Sequence, residues 1–324
     1  MRDVERGMAY YYTAVLSADV VDVADQGMRT GLIPCRMLYC MRAVIGVVAV
    51  ALACSPEALG AQVPRQLTTH RAMDYHARWS PDGATIAFTS TRNGSRAIYT
   101  VTAGGGAVEP VIVGVTGDLH LAWSPDGSAL AIDGDPEGGR SHIWTVELGS
   151  GAMQRVTATE ALEFHPHWSP DGAEIAYASG GDIWIASVET GHARRVTDGG
   201  GDDVHPSWSS DGTAIAYTSE RHGNTDIWIV SRDGGPPRRV TTSSASDDWA
   251  HWSPDDRWIV FNSDRTGRRH LWLTSPDGGA PVQLTDGDAN EWQPCWSPDG
   301  RMIAFTSDRS GNLDLWVIGV EPGM

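Results

Sequence analysis

Near-copies of Trp-Ser-Pro-Asp-Gly start at Trp79, Trp123, Trp168, Trp208, Trp252 and Trp296, spaced 44, 45, 40, 44 and 44 residues apart. A period of this length constrains the fold more than composition does. One such unit cannot bury its own apolar face, so it must stack on its neighbours. The period is that of a four-stranded propeller blade. Each copy holds the matching strand signals, β-branched and aromatic runs bounded by turn residues. The first run ends at the Trp. A second follows the turn, as in Ile86–Ser90, Leu130–Ile132, Ile175–Tyr177, Ile215–Ser219, Ile259–Ser263 and Ile303–Ser307. A third carries Ile98-Tyr99, Ile143-Trp144, Ile183-Trp184, Ile227-Trp228, Leu271-Trp272 and Leu315-Trp316, and a fourth ends in Val-Thr or Leu-Thr, as at Val156-Thr157 and Leu284-Thr285. The expected fold is all-β: a six-bladed β-propeller of four-stranded antiparallel blades over residues 62–324.

The turn chemistry supports this assignment. Pro presets φ at the second position of a type I turn, Asp suits the third, and Gly supplies the positive φ of a bulged hairpin. Two copies depart, with Ser210 in place of Pro and Asp256 in place of Gly. The same hairpin is expected in both, slightly less stable. The sixth copy ends after its third strand, while Arg65-Gln66-Leu67-Thr68 precedes the first copy and matches the fourth-strand pattern. Strand 65–68 should therefore pair into the last blade and leave no open edge.

Charge and composition exclude several functions. Forty-one acidic residues against 24 basic ones give a net charge of −17, unsuited to tracking nucleic acid or an anionic membrane. All basic residues are Arg. Without Lys there is no phosphate-loop lysine, Schiff-base lysine or Ser-Lys dyad.

Residues 1–61 differ from the rest. Ala43 to Ala53 form an uncharged apolar run behind Met41-Arg42, too short to span a bilayer and followed by small residues. Residues 41–61 are expected to be a secretory signal peptide. Residues 1–40 are then an unstructured upstream extension or an artefact of the assigned start. Cys54 partly matches a bacterial lipoprotein acylation site. Of Cys35, Cys40, Cys54 and Cys295, only Cys295 would survive cleavage near residue 61, so no intramolecular disulfide is expected.

Arg-Val-Thr, His-Pro-x-Trp-Ser-Pro-Asp-Gly, Ile-Ala-Tyr/Phe-x-Ser and Asp-Ile-Trp together resemble the repeat of TolB-type, WD40-like bacterial propellers. The resemblance covers residues 62–324 and leaves no room for the N-terminal α/β domain of those proteins. It implies a periplasmic protein that binds a protein partner, as TolB proteins bind a peptidoglycan-associated lipoprotein and colicins. Similar propellers gate prolyl oligopeptidase-type peptidases, but here no Gly-x-Ser-x-Gly elbow occurs. Oligogalacturonate lyases also resemble this architecture and hold a divalent metal with propeller histidines.

Aligning the copies on Trp yields the candidate site. Five residues earlier stand Asp74, Asp118, Glu163, Asp203, Asp247 and Glu291; three residues earlier stand His76, His120, His165, His205, Trp249 and Gln293. The first strand of a blade is the innermost, so equivalent positions should form rings around the channel. Carboxylates beside imidazoles at one mouth suit a protein or peptide partner, or a divalent metal held by His76, His120, His165, His205 and Gln293. The alternative is that these residues serve the repeat itself. Trp249 and Trp292 fall outside the consensus Trp positions and mark a possible contact surface. His142 and His270 fit a hydrogen-bonded blade position, and His167 and His251 fit blade packing. Ser219-Glu220-Arg221, Ser263-Asp264-Arg265 and Ser307-Asp308-Arg309 fit a structural ion pair.

The expected function is an exported, monomeric, non-enzymatic scaffold that binds a protein or peptide, an envelope lipoprotein among the candidates, with no cofactor and no nucleic acid. The competing expectations are a metal-dependent polysaccharide lyase and a propeller that serves a separate peptidase.

Overall fold

A computed structural model describes residues 63–321. The expected extension 1–40, signal peptide 41–61 and Cys54 lie outside them. The described residues form six four-stranded antiparallel sheets, five of them ordered from the innermost strand outward along the chain. Blade one is typical, with strands Asp74–Trp79, Thr85–Ser90, Ala97–Thr102 and Val108–Ile112. The inner strands of blades two to six are Leu121–Trp123, Glu163–Trp168, Asp203–Trp208, Asp247–Trp252 and Glu291–Trp296. In blade six the outermost strand is Arg65–Gln66, with Arg65 opposite Val317 and Gln66 opposite Trp316.

Hydrophobic burial lies between blades. One cluster joins Ala122, Ala131, Ile143 and Val156 of blade two to Trp168, Ile175 and Tyr177 of blade three, and five equivalent clusters complete the ring. The second-strand aromatics Phe88, Tyr177, Tyr217, Phe261 and Phe305 are fully buried there.

The recurring polar residues hold the blade. In five blades the Thr hydroxyl of the Val-Thr or Leu-Thr pair accepts the N–H of the third-strand Ile or Leu, as at Thr157 to Ile143 (3.0 Å) and Thr68 to Leu315 (3.0 Å). In each Ser-Pro-Asp-Gly turn the Ser hydroxyl donates to the Asp carboxylate, as Ser124 does to Asp126 at 2.6 Å. The turn Gly has φ near +70°, as at Gly83, and a Cβ there would lie 3.4 Å from Pro298 of the preceding blade.

Candidate functional site

The six acidic residues do not ring the channel. Asp74, Glu163, Asp203, Asp247 and Glu291 are at most 1% exposed and turn into the blades. In four blades the partner is an Arg eighteen residues on. Arg92 meets both oxygens of Asp74 (3.1 and 2.9 Å), Arg221 meets Asp203 at 2.7 Å, Arg265 meets both oxygens of Asp247 at 2.8 Å, and Arg309 meets Glu291. Each Arg also donates Nε to the Ser two residues before it and lies over the third-strand aromatic, as Arg265 does over Trp272 at 4.7 Å. The Ser-x-Arg signal and the acidic signal are thus two halves of one buried clamp.

Blades two and three lack that Arg. Asp118 pairs with Arg96 of blade one at 3.0 Å. The longer Glu163 is held by Thr157, by Thr159 (2.7 Å) and by His142 of blade two (3.0 Å), which is the hydrogen-bonded role expected of His142.

The next ring does converge. A regular strand sends its side chains to the two blade faces rather than to the axis. Five inner strands break this pattern with a bulge at the third residue before the Trp. There His76, His165, His205, Trp249 and Gln293 have φ of 54° to 58°. For a residue with a side chain this left-handed conformation costs about 1 kcal/mol. Side chains of the preceding blade help to fix it. His76 N–H donates to Gln293 Oε1 (3.0 Å), His165 N–H to Asp133 (3.0 Å), Trp249 N–H to Thr218 (3.3 Å) and Gln293 N–H to Asn262 (3.4 Å). In blade two the positive φ falls one residue earlier, on Leu119. His120 still joins the ring, held by Asp133 through its N–H (2.8 Å) and Nδ1 (2.6 Å).

The aromatic rings gather around one indole. Successive centroids of His76, His120, His165 and His205 are each 4.1 Å apart, and all four lie within 5.9 Å of Trp249. His205 stacks on Trp249 at 3.6 Å and bonds Asp248 through Nδ1 at 2.8 Å. Burial and the neighbouring imidazoles hold His76 and His165 well below the usual imidazole range. Burial also lowers His205, outweighing the Asp248 carboxylate. The cluster is therefore neutral at His76, His165 and His205 at physiological pH. Trp249 is half-buried, and so is Trp292 next to Gln293.

The imidazoles pack on each other and on the indole. Nδ1 of His120 and of His205 is engaged by a carboxylate, and Gln293 Oε1 by the His76 N–H and the Thr306 hydroxyl, whereas Nδ1 of His76 and of His165 is buried without a partner. Among the described residues, no three His, Cys, Asp or Glu side chains are placed to hold one metal ion.

Below Trp249 a cavity of about 20 Å³ is lined by Arg78, His167, Ser207 and His251. His167 and His251 are thus channel residues, not only blade packing as their sequence position had implied. The signal was present in the column one residue before each Trp, which contains Arg78, Ala122, His167, Ser207, His251 and Cys295.

Three family models match parts of the chain: the tricorn protease N-terminal β-propeller domain at residues 177–270, the TolB β-propeller domain at 249–324, and the dipeptidyl peptidase IV N-terminal region at 137–207. No curated protein sequence matches. Among solved structures, a protein from Agrobacterium tumefaciens assigned as TolB is 26% identical, with a TM-score of 0.63 over 79% of this chain and 94% of its own. TolB from Acinetobacter baumannii is 20% identical, with a TM-score of 0.58 over 77% of this chain and only 64% of its own. An oligogalacturonate lyase in complex with manganese is 16% identical, with a TM-score of 0.55 over 82% of this chain and 95% of its own. The last two likenesses establish the shared fold alone.

Proposed function

This chain is a six-bladed propeller of the TolB type, and from that premise we propose that it is an exported, non-enzymatic scaffold of the bacterial cell envelope. It binds a protein or peptide segment at the channel mouth closed by Trp249. The observation that carries this reading is the use of strained backbone to present side chains to the axis. Five blades adopt a left-handed residue at one position, and the result is a half-buried indole set among imidazoles. Strain held at one place is a pointer to function. Half-buried Trp249, Trp292 and Phe164 supply aromatic anchors of the kind that dominate protein recognition. The net charge of −17 favours a partner with a basic contact surface. No helix among the described residues is long and apolar enough to cross a membrane.

Site-directed photocrosslinking in cells tests this. A crosslinker at Trp292 should capture a discrete protein, and Trp249→Ala should reduce the yield. A crosslinker at Glu109, exposed on the outer strand of blade one, should not capture it. Equal capture from both positions would remove the channel mouth as the binding surface.

A further inference from the structure

The cavity below Trp249 contains a cation without a counter-charge. Arg92, Arg221, Arg265 and Arg309 each have a buried carboxylate. Arg78 has none among the described residues. Nη1 of Arg78 donates to the adjacent Ala77 carbonyl at 2.9 Å, while Nε is buried without a partner. Ser207, 1% exposed, lines the same cavity, and its hydroxyl is also unpartnered. The other polar neighbours bring no negative charge. His167 and His251 direct Nδ1 to the carbonyls of Trp168 (3.2 Å) and Trp252 (3.1 Å), and Cys295 Sγ lies 3.5 Å from His251 Nε2. The Cys295 thiol is pushed up by burial and remains protonated. Arg78 is half-buried, and a guanidinium whose Nε is cut off from water with no carboxylate partner is costly; a bound anion relieves that cost. A hydroxyl with no acceptor is a second unmet donor.

We propose that Arg78 and Ser207 form a binding site for one small monoanion with the chemistry of a carboxylate. The guanidinium supplies the charge and the Ser207 hydroxyl a second donor. The cavity is small, about 20 Å³, which favours formate, or the carboxylate at the end of an inserted chain, over a bulkier tetrahedral dianion. The site does not depend on the identity of the partner at the mouth.

The test is sodium formate titrated into the purified protein at constant ionic strength, followed by saturation-transfer NMR, with sulfate as the control anion. Saturable formate binding is expected, at least ten-fold weaker in Arg78→Gln and several-fold weaker in Ser207→Ala. A peptide with a free C-terminal carboxylate that competes with formate, while its amide does not, would identify an inserted chain end as the natural source. Failure to compete would identify a free anion. Absence of saturable binding to the wild type overturns the proposal, and so does unchanged affinity in Arg78→Gln. Should Arg78→Gln not fold, Ser207→Ala decides, because it removes one oxygen and little packing; unchanged affinity there also overturns the site.

Discussion

The Asp256 carboxylate accepts the backbone N–H of Ser210 at 2.6 Å and, with its other oxygen, that of Asp211 at 3.0 Å. These are the two departures from the turn consensus, and they compensate each other. In the other blades the turn Gly lies beneath a Pro of the preceding blade, as Gly127 lies beneath Pro81. Replacing Pro by Ser at 210 frees an N–H, and Asp in place of Gly at 256 supplies its acceptor. Asp256 tolerates the required φ of 57°. The slight weakening expected at each turn is thus offset across the blade boundary.

A double-mutant cycle on this pair should show the compensation. Ser210→Pro alone removes a donor and leaves the carboxylate against an apolar ring, while Asp256→Gly alone strands two N–H groups. The double variant restores the pattern of the other blades. Denaturant melts should give a coupling of about 1 kcal/mol that favours the double variant. Additive single effects would contradict the pairing.

The buried clamp should be among the costliest polar features to break. Arg265→Gln leaves the Asp247 carboxylate buried with no cation, at a cost of about 3 kcal/mol or more. Asp247→Asn combined with Arg265→Gln should cost clearly less than the sum of the two single changes. Equilibrium unfolding of the three variants measures both quantities.

Trp249→Ala opens the channel axis. Loss of a half-buried indole should destabilise the fold by about 2 kcal/mol, less than for a fully buried aromatic. Water then reaches the imidazoles, and the burial that depresses His76, His165 and His205 weakens. NMR titration should find all three pKa values moved up toward about 6.5. Unmoved values would mean that the indole does not shield them.

Acid should act in two stages, both with the same sign. The unfolded chain takes up protons on His76, His165, His205 and His251 below about 6.5, whereas the folded chain resists until lower pH, about 3 for His251. Stability from these groups is fully present above about 6.5 and is lost as pH falls through the folded values. Asp126, held down to about 2 by the Ser124 hydroxyl and then by the Ser128 N–H and hydroxyl, adds a second loss between pH 3.8 and about 2. Melting temperature against pH should fall less steeply over that lower range in Asp126→Asn.

The metal question has a direct readout. A divalent ion in the channel would have to replace contacts among four imidazoles and Trp249. Elemental analysis of untagged protein should give well below one equivalent, with melting unchanged by a chelator. Stoichiometric metal lost in His165→Ala/His205→Ala would instead favour a metal-dependent reading of the ring.

The sequence alone determined the blade count, the four strands per blade, the turn at each Ser-Pro-Asp-Gly, and the closing strand before Trp79. These rest on local signals repeated six times, each tied to its own backbone geometry. It also put His76, His120, His165 and His205 at equivalent positions of four blades, as candidates for one ring. Only the tertiary structure decided which column reaches that axis and which turns away. In four blades the acidic residue is drawn into the blade because an Arg eighteen residues on offers a buried partner. The column three before the Trp turns inward because the bulge breaks the alternation of the strand. Trp249 fills the centre because six blades share one narrow channel that a single indole can occupy. Arg78, His167, Ser207 and His251 meet below it for the same reason: they come from four different blades, and a convergence across blades is written in no single repeat.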